Sequence, residues 1–256
     1  MKLVIPSHNR FWNVITLDSI PKKYFKDTYI VVRNEEQQSL YSHYDCNVLV
    51  LDCNSIATKR DAICRHFAGE KIWMIDDDCS LYNTELIDYV NSLGKPDTNI
   101  KPTTQVTEED FDEFIDYVSN LLDKYPHGVV RPHIFSRGKN YLPYRLNTWA
   151  FTNALLNLSI IDADLLDYTF AEHSEDLVAF LNVIESEYDS FCLSKWMIKS
   201  EKPGKSGGMT GIRNAEMMTN AHIKINKKFP NHTTLKEGYE IDGHIPKILV
   251  VRPKNS

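Results

Sequence analysis

The sequence predicts a single doubly wound α/β domain, with a central, mostly parallel sheet flanked by helices. Two observations predict it. Four short apolar runs rich in β-branched residues stand at Lys2 to Ile5, Tyr29 to Arg33, Val48 to Asp52 and Lys71 to Ile75. Such runs suit strands buried on both faces of a parallel sheet. Helical patterns separate them, and strand–helix alternation of this kind builds a parallel sheet by repeated crossovers. Ligands of such sheets bind beyond the carboxyl ends of the strands. That rule points to Pro6 to Arg10, Cys53 to Arg60 and Asp76 to Ser80.

The elements follow in order. The clearest early helix runs from Ser55 through Ile56 and Ile63 to Phe67, with Asn54 or Ser55 as its cap. A polar loop spans Gly94 to Thr107. An acidic helix capped by Thr107 then sets Phe111, Phe114, Ile115, Val118 and Leu122 on one face. A strand is expected over Val129 to Phe135, a basic and aromatic loop over Ser136 to Trp149, and an apolar segment to Ile161. A helix starts near Asp176, a strand covers Phe191 to Ile198, and a Gly-rich loop, Gly204 to Gly208, precedes a helix from about Asn214 to Lys228. The tail closes with a strand, Lys247 to Val251. The chain divides into a nucleotide-binding half, residues 1–93, and an acceptor-binding half, residues 94–256.

Composition excludes some classes. The 256 residues suffice for one sizeable core, and no run approaches the ~18 apolar residues of a membrane span. The N-terminus opens into a strand and does not read as a targeting peptide. Five cysteines without metal-type spacing predict a reduced, cytoplasmic setting. A net charge of −6 argues against a protein that coats nucleic acid. Charge is locally uneven, however: Lys195 to Lys228 carries eight basic residues against two acidic ones, so phosphate can be held there.

The strongest chemical signal is Trp73-Met74-Ile75-Asp76-Asp77-Asp78. Carboxylates directly after a buried strand need solvent, a cation or a donor to compensate them. Alternate residues of an extended segment project to one side, so Asp76 and Asp78 can converge on one ligand. Hard oxygen donors suit Mg²⁺ or Mn²⁺, especially beside diphosphate oxygens. A solvated acidic turn is the alternative.

Asp76 to Asp78 resembles the Asp-x-Asp motif of GT-A glycosyltransferases, a Rossmann-like fold family. Ile5-Pro6-Ser7-His8-Asn9-Arg10 resembles that family's first-strand exit, and Ile56-Ala57-Thr58-Lys59-Arg60-Asp61 its basic segment near the nucleotide, although Asp61 departs from the usual Asn. Ser174-Glu175-Asp176-Leu177 resembles the Glu-Asp element that opens a helix and supplies the base of inverting members. The resemblance covers residues 1 to about 185. It implies a family 2-like enzyme that uses Mn²⁺ or Mg²⁺ and a nucleotide-sugar donor, a UDP-sugar above all. Asp76 and Asp78 would hold the metal. Pro6, Ser7, His8, Arg10, Arg33, Lys59, Arg60, Asp76 and Asp77 would face the donor. Asp176 would be the general base, with Glu175 as the alternative.

Lys205 and Arg213 are the basic residues of the Gly-rich segment, which could serve as a lid over the departing diphosphate or simply as a linker. Its spacing does not make a Walker A loop. His222, His232 and His244 are candidates for a further metal ligand, although a histidine at such a position more often serves surface or packing, and His173 is a candidate for tuning the base. Arg131, His133, Arg137, Lys139 and Arg145 interleave with Phe135, Tyr141, Tyr144 and Trp149. That mixture suits phosphate contact with base stacking, a sugar acceptor, or an ordinary surface.

Small single-domain proteins of this style resemble phage-encoded enzymes that glycosylate hydroxymethylated bases in DNA. The implied acceptors are therefore such a base, or else a glycan, lipid or protein. A nucleotidyltransferase of related fold would need a glycine-rich loop after the first strand, where this chain reads Pro6-Ser7-His8-Asn9-Arg10. A non-catalytic relative would be expected to lose Asp76, Asp78 or Asp176, and all three are present.

Overall fold

A computed structural model describes residues 1–83, 106–132, 143–200, 215–238 and 246–251. The first four strands form as the periodicity predicts: β1 (Lys2–Pro6), β2 (Thr28–Val32), β3 (Asn47–Val50) and β4 (Lys71–Ile75). All are parallel, and they lie in the order β3-β2-β1-β4. Val4 pairs with Tyr29 on one side and Met74 on the other. Chain order runs outward from β1 to β3, then returns to place β4 on the opposite side of β1. The switch point of the sheet therefore lies between β1 and β4, and the crevice there opens past Pro6 and Ile75.

β1, β2 and β4 are buried on both faces, the edge strand β3 only partly, and side-chain alternation divides the core in two. Leu3, Ile5, Trp73 and Ile75 face α3 (Glu108–Lys124), meeting Phe111, Phe114, Val118 and Leu122, all fully buried. Each such side chain contributes about 1.5–3 kcal/mol by leaving water. Val4, Ile72 and Met74 face the other way, toward Ile63 and Cys64 of α2 (Ile56–His66) and Ala179 and Val183 of α5 (Glu175–Glu185). Both α2 and α3 begin with capping boxes, Ser55 with Thr58 and Thr107 with Asp110, so both predicted caps are present. Between β2 and β3 lies α1 (Glu35–Tyr41), capped by Asn34.

Beyond β4 the sheet mixes directions. It continues through β8 (Asn153–Asn157), β6 (His127–Pro132), β9 (Ser190–Ser200) and β5 (Cys79–Asn83), and β7 (Tyr144–Leu146) also pairs with β9. β6 and β9 keep the direction of the first four strands, while β5, β7 and β8 oppose it. β6 and β9 approach closely because Gly128 faces Phe191; a Cβ at Gly128 would lie 2.3 Å from the Phe191 ring. After a one-turn helix, α4 (Ala163–Leu166), comes α5. Outside it pack α6 (Ala215–Lys228) and a two-stranded sheet, β10 (Thr233–Glu237) and β11 (Lys247–Val251). Ile225, Phe229, Leu249 and Val251 meet Leu177, Phe180 and Leu181 there.

Three expectations need correction. The stretch read as the end of the acidic turn is a full strand, β5, whose sequence CSLYN does not alternate because both its faces are buried. Part of the basic loop, Tyr144–Leu146, is an edge strand on β9. The C-terminal strand has a partner that the polar run TTLKE of β10 did not announce. All five cysteines are free thiols, and no helix among the described residues is long and apolar enough to cross a membrane.

Candidate active site

The crevice at the switch point is assembled from four chain segments. The first is the exit of β1. Pro6 completes the pairing with Val31 through its backbone, so its contribution is to direct the chain. Ser7 is buried, and its hydroxyl donates to Asp77 Oδ2 at 2.5 Å. Tyr41 Oη lies 2.7 Å from Ser7 Oγ and accepts from the Arg10 backbone N–H at 2.9 Å. Since the Ser7 proton points to Asp77, Tyr41 donates to Ser7, and the bonds run in one direction toward the carboxylate. Asn9 makes the turn in the left-handed region (φ 55°), which an Asn tolerates better than most residues. Gln37 donates to His8 Nδ1 at 3.2 Å and to Asn9 Oδ1 at 3.1 Å. Burial, with Lys59 and Arg33 nearby, lowers the pKa of His8.

The second segment is the acidic turn after β4. Thr16 Oγ1 donates to the Asp76 carbonyl at 2.5 Å and accepts from Cys79 N–H at 3.0 Å, stapling the turn from outside. Arg10 closes it: Nε lies 3.4 Å from Asp77 Oδ1, and Nη2 lies 3.2 Å from Asp78 Oδ2.

The third segment is the first turn of α2. Lys59 is buried, and its Nζ donates to the Ser7 carbonyl at 2.6 Å, tying α2 to the β1 exit. Burial lowers its pKa. Arg60, 3% exposed, reaches the fourth segment. Its Nη2 donates to Asp76 Oδ1 at 2.8 Å, and its Nε lies 3.3 Å from Glu175 Oε1 at the start of α5. Burial disfavours the guanidinium charge, but Asp76 and Glu175 more than offset that and keep it protonated. Asp176, one residue on, is half-buried and accepts from its neighbour Leu177 N–H at 2.8 Å.

Crowding of carboxylates has a measurable consequence. Burial pushes the Asp76 carboxyl up to about 7, against the pull of Arg60 and with repulsion from Asp78, Asp77 and Glu175 adding to it. Asp76 retains 31% of its side-chain surface at the mouth of the crevice, yet protein atoms crowd it on every other side. Burial likewise raises Asp77 to about 6, opposed by the Ser7 hydroxyl and Arg10. Three cations, Arg10, Lys59 and Arg60, stand against the four carboxylates Asp76, Asp77, Asp78 and Glu175, so the crevice retains demand for positive charge.

The residues singled out in the sequence thus fall into several groups. Ser7, Arg10, Lys59, Asp77 and Asp78 form one linked set, and Arg60, Asp76 and Glu175 form a second beside it. Pro6, His8, Arg33 and Asp176 border them, with Arg33 exposed at the end of β2. Lys205, Arg213, His133, Phe135, Arg137, Lys139, Tyr141 and His244 lie outside the described residues. His232 is remote from the acidic turn: its Nε2 sits 3.4 Å from Glu185, at the other end of α5. His222 has both ring nitrogens engaged, with Ser174 and with the Lys247 carbonyl. The His173 ring lies 6.3 Å from it. Trp149 packs against Phe151, and Arg131 and Arg145 flank Cys192.

Tyr41, Thr16 and Gln37 belong to the crevice and carried no sequence signal. Their polar atoms act 28 to 63 residues away along the chain, and only their burial marks them.

Comparison with known proteins bears on this architecture. The family model of TET-associated glycosyltransferases matches residues 1–176, which include the acidic turn and end at Asp176. Two phage proteins, each named beta-glucosyl-HMC-alpha-glucosyl-transferase, are similar over 243 residues, 92% of this chain and 84% of theirs. The one from Enterobacteria phage T2 is 33% identical and the one from Enterobacteria phage T6 is 32% identical. A mycobacterial protein of known structure overlays with a TM-score of 0.49 at 10% identity, over 98% of this chain and 83% of that one, a likeness too slight to bear on function. With the family model covering well over half the sequence and both phage relatives covering nearly all of it, this chain is a glycosyltransferase of the TET-associated family.

Proposed function

We propose that the enzyme transfers a hexosyl group from a UDP-sugar to a hydroxyl carried by a hydroxymethylated pyrimidine of DNA, either the hydroxymethyl group itself or a sugar already attached to it. The observation that supports this most is the Arg60 bridge. It brings the acidic turn and the start of α5 to one guanidinium, so the carboxylates proposed to serve donor and acceptor stand beside each other. The acceptor class is drawn from the phage relatives, which are named for HMC as well as for glucosyl transfer.

In this reading Asp78 and Asp76 hold a divalent cation. The donor set fits: hard carboxylate oxygens, with Asp76 and the adjacent Asp77 disfavoured as anions first by burial and then by neighbouring carboxylates. Among the described residues no three His, Cys, Asp or Glu side chains make a ready cage, so diphosphate and water oxygens would complete the shell. When bound, the ion would offset charge on the leaving diphosphate. Ser7, His8, Arg10 and Arg33 border the nucleotide. Lys59 holds the Ser7 carbonyl and Arg60 orients Asp76. Asp176 takes the acceptor hydroxyl proton as its oxygen bonds to the anomeric carbon and the bond to diphosphate breaks on the far side, giving inversion. Glu175, clamped by Arg60, is the less mobile candidate for the same role. Arg145, exposed on edge strand β7, is placed to meet DNA phosphate.

The test is transfer from a panel of nucleotide-sugars, with Mn²⁺, to DNA containing cytosine, hydroxymethylcytosine or glucosylated hydroxymethylcytosine. Transfer only to the modified DNAs, with the product anomer opposite to the donor's, is the expected result. Donor hydrolysis without transfer to any DNA would send the acceptor to glycans or proteins, and retention of configuration would remove Asp176 as the base of a single displacement.

A further inference from the structure

We infer that His222 is a positioning residue for the first turn of α5: it holds Ser174 in a left-handed conformation and so aims Glu175 and Asp176 into the crevice. The inference rests on the reading of those carboxylates given above.

Ser174 precedes α5 with φ 63° and ψ 37°. A serine at a helix start ordinarily sits in the extended region and accepts a hydrogen bond from the first turn. Here it makes no such cap, and it occupies a backbone region that is strained for a residue with a Cβ. Something outside the helix must hold it. Its hydroxyl lies 3.0 Å from His222 Nε2. His222 belongs to α6, is 8% exposed, and its Nδ1 lies 2.8 Å from the Lys247 carbonyl of β11. A carbonyl only accepts, so Nδ1 bears the proton, Nε2 is the acceptor, and Ser174 donates. Burial lowers the pKa of His222, in keeping with that neutral tautomer.

The restraint is anchored at its far end as well. Lys247 N–H donates to Thr219 Oγ1, one turn before His222 on α6, at 3.0 Å. A line of bonds therefore runs from β11 through α6 to Ser174, and Arg60 grips the next residue, Glu175, from the sheet side. The turn bearing the proposed base is fixed between two independent supports. Local preference is broken at Ser174 and compensated from a separate part of the chain, as happens where geometry serves a site.

The experiment compares kcat, donor KM and donor affinity for His222→Ala, Ser174→Ala and the double variant His222→Ala/Ser174→Gly, with Glu175→Gln and Asp176→Asn alongside. A small misplacement of a reacting group costs on the order of 10- to 100-fold, so kcat should fall by that much in both alanine variants while donor affinity holds. Glycine adopts the left-handed region without help, so the double variant should recover most of the loss. A purely structural histidine would lower thermal stability without this rescue of kcat. Ser174→Ala leaves the His222 packing intact, which keeps the test decisive if His222→Ala fails to fold. Wild-type turnover by Ser174→Ala, or equal loss in single and double variants, overturns the inference alone. Wild-type turnover by both carboxylate variants overturns the base assignment, and this inference with it.

Discussion

The Arg60 guanidinium lies 2.8 Å from an Asp76 carboxylate oxygen, and through this contact α2 is fastened to the exit of β4 inside the crevice. The same guanidinium approaches Glu175 at 3.3 Å, so one buried cation serves two carboxylates. Breaking a buried pair by removing one partner costs about 3–5 kcal/mol, whereas replacing the whole set by neutral groups costs far less. Arg60→Met should therefore lose about 3–5 kcal/mol in urea denaturation, and the triple variant with Asp76→Asn and Glu175→Gln should be markedly more stable than Arg60→Met alone. Additive losses would mean that the three side chains do not act as a unit.

Asp78 offers the test of metal dependence. For the native enzyme, Mn²⁺ and a UDP-sugar together should raise the melting temperature, since a ligand at ~100 times its Kd stabilises by ~2.7 kcal/mol. Chelation with EDTA should reverse the rise. Asp78→Ala should abolish the metal-dependent part while leaving the free protein folded, because among the described residues its side chain bonds only to Arg10 and Cys79. An identical rise with and without metal would remove the cation from the donor site.

His127 sets a pH dependence of stability. It is fully enclosed, with Nδ1 2.7 Å from Ser190 Oγ, and burial lowers its pKa from 6.5 to about 4. The unfolded chain thus binds a proton in the window where the folded one does not. Stability from this site is complete above pH 6.5 and is lost as pH falls toward 4, by roughly 3 kcal/mol. Comparing the native protein with His127→Asn by denaturant titration across that window isolates the effect, since other carboxylates titrate alike in both. Parallel pH profiles would show that His127 is protonated in the folded state.

Gly128 tests the β6–β9 packing. An added Cβ would stand 2.3 Å from the Phe191 ring, itself fully buried. Gly128→Ala should cost about 1–3 kcal/mol as the ring is forced aside, and Gly128→Ala with Phe191→Leu should recover part of it. An unchanged denaturation midpoint for the single variant would mean that the two strands separate more easily than their packing implies.

The sequence by itself determined the parallel half of the sheet and α2 and α3 with their caps, and it singled out the acidic turn that is proposed as the centre of the site. These rest on local pattern: apolar runs, capping residues adjacent in the chain, and a row of carboxylates that no buried strand end tolerates without a reason. It also carried the family resemblance that the family model bears out. Tertiary structure alone decided how the site is held. Tyr41 reaches Ser7 across 34 residues, Thr16 reaches the Asp76 carbonyl across 60, and His222 reaches Ser174 across 48. Hydrogen bonds over such separations leave no periodicity to read, because their geometry exists only once the sheet order has brought the segments together. The same holds for β5 and β10, whose pairing depends on neighbours rather than on propensity. The charged residues of the crevice were legible one by one, Tyr41, Thr16 and Gln37 were not, and the direction in which each charge points is a property of the packed chain.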